Sequence, residues 1–243
     1  MEWARLVRTR RWIGLLAPFI LFGFTGPLVT RYQRELFRNL GGGIRVIVPP
    51  PSVGQAIDSY VKNVAQIGLL AVVAVAAWAV AIDARPEWAA FLRTRTNSVR
   101  RLLVPRCVVS AAAAGACFAA GLVCAWYETA VLIGRPPVGA MLAGACFGVV
   151  YLAFVVGVVT LWAGLTRSAV GVAALSLVTL VALPLLAVLP GVEPWLPSTL
   201  VGAVTSMTRG APWTDYLRTA GVALASGVGL AWAGARLIER REL

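Results

Sequence analysis

The chain contains no histidine, which removes imidazole acid–base chemistry and His-ligated metal sites from consideration. Lysine is nearly as scarce: Lys62 stands alone, and every other basic residue is an arginine. Charged residues of both signs make up 13% of the chain, where a soluble domain carries about 25%. No G-x-x-x-x-G-K-[ST] string occurs, and Gly41-Gly42-Gly43, followed by Pro49-Pro50-Pro51, reads as a loop. The chain therefore does not bind ATP through a Walker motif. Cys107, Cys117, Cys124 and Cys146 lie in apolar stretches without C-x-x-C spacing and read as small buried hydrophobes.

What is abundant is apolar. Hydrophobic residues make up 59% of the 243, and the mean hydropathy is +0.81. One globular core cannot hide that much apolar surface, so lipid must solvate much of it. Six stretches approach the roughly 20 apolar residues that a membrane-crossing helix needs. They run from Trp12 to Val29, Val64 to Ile82, Cys107 to Tyr127, Val138 to Leu165, Ser168 to Leu189 and Thr219 to Arg236. The first follows arginines as a signal peptide would, but Val29-Thr30-Arg31-Tyr32 offers no small-residue cleavage site. It reads as a retained anchor. The expected fold is an all-α integral membrane protein of about six spans, a single transmembrane domain over residues 1–243.

The net charge of +12 would suggest nucleic acid in a soluble protein. Here the arginines flank the apolar runs, where the positive-inside bias puts them, and no nucleic-acid partner is expected. With the N-terminus inside, fourteen of the 22 basic residues fall on the cytoplasmic side. They are Arg5, Arg8, Arg10, Arg11, Arg85, Arg93, Arg95, Arg100, Arg101, Arg106, Arg167, Arg236, Arg240 and Arg241. The orientation expected is both ends in the cytoplasm.

Outside the spans, residues 1–11 pattern as an interfacial helix, with Trp3, Leu6 and Val7 against Arg5, Arg8 and Arg10. Residues 31–63 and 190–218 read as outer loops, the second with an apolar middle, Ser198 to Met207, suited to a short interfacial or re-entrant helix. Residues 83–106 form a charged cytoplasmic segment with the pattern of a short amphipathic helix after Pro86. Small residues recur four apart: Gly144 and Gly148; Ala225, Gly229 and Ala233; Ala112, Ala116 and Ala120. Such faces let helices approach closely, within a subunit or between subunits. Pro18, Pro27 and Pro184 each remove a backbone hydrogen bond and permit a kink.

Away from their ends the six spans carry no Asp, Glu, Lys or His. An ion-coupled transporter places an ionisable group at membrane depth to carry the coupled charge, so proton-driven antiport and intramembrane hydrolysis are disfavoured. A transporter powered from elsewhere is not.

Several strings resemble known sequences: a basic start, a first span, a large outer segment, then Ser59-Tyr60-Val61-Lys62-Asn63-Val64-Ala65-Gln66-Ile67-Gly68 leading into the second span. A charged connection, four further spans and a terminal Arg240-Arg241-Glu242-Leu243 follow. Over nearly its whole length the chain resembles permease subunits of ABC-2-type exporters, particularly compact actinobacterial ones. The resemblance implies a multi-pass protein of the bacterial plasma membrane that forms the export path and is not itself an enzyme. ATP and magnesium would sit on a separate ATP-binding cassette subunit, with no cofactor on this chain. A second permease, alike or homologous, would complete the unit. The resemblance also implies that the connection between the second and third spans is a coupling helix docking on the ATPase, here Asp83-Ala84-Arg85-Pro86-Glu87-Trp88-Ala89-Ala90-Phe91-Leu92-Arg93. Family members often carry a Glu and a Gly-Thr pair there; this chain has Glu87 and no Gly-Thr. The coupling residues so implied are Asp83, Arg85, Glu87, Arg93, Arg95, Arg100 and Arg101. The alternatives are a secondary transporter, disfavoured by the empty membrane interior and the lack of an internal repeat, and an accessory membrane protein without transport of its own.

Overall fold

The computed structural model describes Trp3 and residues 8–40, 50–81, 100–189 and 191–240. Most of the interfacial helix expected over 1–11 lies outside the described residues. Arg10, with φ +55, takes the left-handed conformation just before the first long helix and separates that helix from what precedes it. All regular structure among the described residues is helical, and six helices are long and apolar enough to cross a membrane.

The first, α1 (Arg11–Leu40), carries Pro18 and Pro27 in its interior. The second, α2 (Val53–Val80), starts where Pro49-Pro50-Pro51 ends, with Ser52 as N-cap accepting from the Gln55 amide at 3.2 Å. It runs through one π turn, Val64–Gly68, before its last apolar turns. Next come α3 (Arg100–Leu132), α4 (Val138–Leu165) and α5 (Ala169–Ala182), which tightens into a 3-10 helix over Leu183–Val188. That change falls at Pro184, whose missing N–H cannot continue the α-helical ladder. Between α5 and the last span, 3-10 turns and the short α6 (Ala203–Thr208) fold onto α4. The last helix, α7 (Leu217–Arg240), is entered through a 3-10 turn, Trp213–Tyr216.

Two boundaries differ from the sequence expectation. The outer segment read as loop over 31–63 is largely helix, since α1 runs to Leu40 and α2 begins at Val53. Residues 53–63 are charged enough to resemble a loop, yet Ala56, Ile57, Tyr60 and Val61 recur at helical spacing and are buried. Burial of that stripe against α1, α3 and α6, not hydropathy, makes the segment helical. The third span likewise begins seven residues before the expected Cys107.

Close approaches fix the helix directions. Gly26 of α1 meets the Tyr60 backbone of α2, and Gly68 meets Phe19, so α1 and α2 are antiparallel. Phe118 of α3 packs on Gly148 of α4, and Cys107 reaches Thr160, so these two are antiparallel as well. Gly157 and Gly164 of α4 pair with Gly227 and Gly234 of α7, a parallel pair. The start of α1 and the end of α7 therefore lie at the same end of the bundle.

Two packing centres hold it. In the first, Tyr60 and Phe19 are fully buried with Phe118 between them. The Tyr60 ring stacks on Phe118 with centroids 6.1 Å apart, Phe19 meets Phe118 edge-on at 6.4 Å, and the Tyr60 hydroxyl donates to the Phe118 carbonyl at 2.9 Å. Buried hydroxyls need such partners. In the second, α4 and α7 touch backbone to backbone: a β-carbon at Gly157 would strike the Gly227 carbonyl, and one at Gly234 the Thr160 carbonyl.

Candidate functional site

The end of the bundle where α1 starts and α7 finishes is strongly basic. Arg8, Arg10, Arg11, Arg101, Arg106, Arg167, Arg236 and Arg240 lie there against Glu239 among the described residues. At the far end, Arg31, Arg34, Lys62, Arg135, Arg209 and Arg218 are partly balanced by Glu35, Asp58, Glu128 and Asp215 among the described side chains. There the Asp58 carboxylate accepts from Lys62 at 2.7 Å, with Arg209 at 4.0 Å. Charge thus separates the two ends more sharply than arginine counting suggests.

Both ends also carry guanidinium–tryptophan pairs. Arg236 lies 3.7 Å over the Trp232 ring near the end of α7, and Arg218 lies 3.4 Å over Trp195 near its start. Arg218 and Arg236 are eighteen residues apart, about 27 Å along an α-helix. A hydrocarbon core is about 30 Å thick, with tryptophan and arginine favoured at its two faces.

The charged connection leaves α2 and returns through α3 at the basic end. Of the residues implied as coupling residues, Asp83, Arg85, Glu87, Arg93 and Arg95 lie outside the described residues. Arg100 opens α3, and Arg101 stands exposed in its first turn. The described chain ends at Ala81 on one side of the connection and resumes at Arg100 on the other.

Sequence reasoning missed what ties the two sides. Arg106, expected in the connection, sits inside α3 with only 7% of its surface exposed. One guanidinium nitrogen donates to the Ala79 carbonyl at 3.2 Å. That carbonyl is one of the last in α2, a group with no intrahelical donor at the negative end of the helix dipole. An arginine at the centre of a membrane span costs about 2.5–3.5 kcal/mol on insertion scales; near the start of α3 the cost is smaller, and capping a helix end offsets part of it. Arg11 of α1 lies 6.0 Å from the Trp78 ring, which joins the same end of α2 to α1. The signal for Arg106 was its position: a charge followed directly by the apolar run from Cys107 reads as a flank, and nothing in the sequence shows that α2 ends beside it.

Beside this clamp a groove of about 350 Å³ runs between α3 and α7, with α4 as its floor. Its lips are the exposed Val104 and Val108 of α3 and Val228 and Trp232 of α7. On the floor, the Cys107 sulfur and Thr160 hydroxyl share a 3.2 Å contact, and the hydroxyl reaches the Val156 carbonyl at 2.8 Å. The rest of the lining is apolar.

The small-residue faces divide. Gly144 and Gly148 are used within the chain, against Val204 of α6 and the Phe118 ring. Ala112, Ala116, Ala225 and Gly229 face outward. Comparison with known families, characterised proteins and solved structures finds no match.

Proposed function

We propose that the chain is the transmembrane permease subunit of an ATP-driven ABC exporter, powered by a separate ATPase that docks on the basic end. The Arg106 clamp is the observation that carries this reading. It joins the C-terminus of α2 to the start of α3, so a push on the connection between them moves both helices as a pair. Supporting it, the buried charged side chain among the described span residues is Arg106, which donates to a backbone carbonyl instead of standing ready to carry a coupled ion.

In this reading both termini lie in the cytoplasm of a bacterial cell, and the connection forms the coupling helix. Closure of the ATPase dimer presses on Asp83, Arg85, Glu87, Arg93 and Arg95, and on Arg100 and Arg101 at the head of α3. The α2–α3 pair then tilts against the α4–α7 block and changes the path between this permease and a second one. ATP and magnesium remain on the partner, and this chain performs no chemistry.

The test is recovery of an ATPase in mild detergent with tagged wild type and with Glu87→Ala/Arg93→Ala. Wild type should bring down a separate ATP-hydrolysing polypeptide, and the double variant should lose most of it. Flux driven by a proton or sodium gradient in liposomes, with no ATPase recovered, would replace this reading with a secondary transporter.

A further inference from the structure

The groove between α3 and α7 has dimensions that select its occupant. On α7 its lining runs from Ala223 to Ala235, twelve residues or about 18 Å of helix. That is close to the depth of one leaflet, half of a hydrocarbon core about 30 Å thick. The groove's volume is about 350 Å³, and it opens outward between the exposed lips Val104, Val108, Val228 and Trp232. A slot one leaflet long and lined by apolar side chains suits an extended hydrocarbon chain.

Its two ends differ in charge. Deep in the bundle it is lined by Phe154, Ala223 and Leu224. The Cys107–Thr160 pair on its floor is engaged internally. Toward the basic end, Arg101 precedes the lip residue Val104 by one turn of α3, and Arg236 follows Trp232 by one turn of α7. Both arginines are exposed, and Arg236 is braced over the Trp232 ring at 3.7 Å. Arg240 lies one turn further, and Glu239 is the acidic residue of that region among those described. An apolar slot one leaflet deep, ending in guanidinium groups at headgroup level, matches an anionic amphiphile in both parts.

We infer that this groove binds one anionic phospholipid per chain, an acyl chain lying along α4 and the phosphate held by Arg236 and Arg101. This binding is independent of whether the chain is a permease, since it uses neither the connection nor a partner subunit.

Native mass spectrometry of the delipidated full-length chain, titrated with phosphatidylglycerol and with phosphatidylcholine of the same acyl chains, tests it. Wild type should bind one phosphatidylglycerol more tightly than phosphatidylcholine, by about fivefold for each arginine engaged, equivalent to about 1 kcal/mol. Arg236→Gln should cut that preference by about fivefold, weakening phosphatidylglycerol more than phosphatidylcholine, whose phosphate charge is offset by its own choline, and Arg236→Lys should keep the preference. Val228→Trp fills the mouth from an exposed lip position (69% exposed) and should weaken both lipids alike; Val108→Trp repeats the test from the opposite lip. Equal affinity for the two lipids, or undiminished binding in both tryptophan variants, would overturn the inference. So would competition by glycerol 3-phosphate alone at the lipid's own affinity, which would leave a headgroup site without the groove. A shift to a dimeric mass that expels lipid would give the groove to a second copy.

Discussion

Two helices flank α4, and they are attached to it in opposite ways. The span ending in α7 has 28% of its most apolar window buried within the chain and the span of α5 has 22%, so the amount covered hardly distinguishes them. The closeness does. Along α7, Ala220, Gly227 and Gly234 fall seven apart on one buried face, and Gly227 and Gly234 let its backbone touch that of α4. Along α5, the buried residues Ala169, Val172, Ser176 and Leu180 form a narrow stripe, and its contacts with α4 include the Trp162 indole donating to the Thr179 hydroxyl at 2.9 Å. Val170, Val178, Val181 and Leu185 point away from the chain, each about two-thirds exposed or more. Where lipid is as apolar as leucine, burial alone supplies no drive for association, and close packing with hydrogen bonds decides which helices are held. The α4–α7 pair is a rigid block, and α5 is a loosely fastened neighbour.

The largest expected effect tests the block. Gly234→Leu drives a side chain into the Thr160 carbonyl of α4 and should cost about 3 kcal/mol, read as a large fall in the detergent unfolding midpoint. Gly229→Leu, where a β-carbon meets nothing within 4 Å, should stay within about 0.5 kcal/mol of wild type. Equal losses would erase the distinction between the faces of α7. Smaller is Tyr60→Phe, which removes the hydroxyl bond to the Phe118 carbonyl in the α1–α3 centre and should cost about 1 kcal/mol. The smallest is at α5: Trp162→Phe and Thr179→Val should each cost about 0.6 kcal/mol, the mean for interhelical bonds in membranes. The double variant should lose no more than either single one, and additive losses would show that the indole–hydroxyl bond is not the tether.

The six spans were legible because hydropathy and length are properties of the chain itself. The start of α2 was not, because Asp58 and Lys62 dilute its apolar stripe, and the burial of Ile57 and Tyr60 depends on partners far away in sequence. The GxxxG at Gly144 and Gly148 was visible, but its partners were not: they are Val204 and Phe118 of the same chain. The seven-residue spacing of Gly157 with Gly164, and of Gly227 with Gly234, escaped a search for four-residue spacing, although both periods return to one helix face. In α3, Ala112 and Ala116 face outward while Ala113, Ala114 and Cys117 are buried, so the alanine spacing marks no packing face within the chain. Alanine is too common here to mark a face. At the candidate site, the basic end was legible from the arginines, whereas most of the connection lies outside the described residues and its last part, from Arg100, is already α3. Arg106 was not legible, since only tertiary structure brings it to the carbonyl of Ala79.

The most direct test of the central claim is photocrosslinking in intact cells from position 93, in the connection at the basic end, beside position 135 at the far end. The account predicts an adduct with an ATP-binding cassette subunit from position 93 and none from position 135. An ATPase adduct from position 135, or none from position 93 while the chain is correctly inserted, would contradict it.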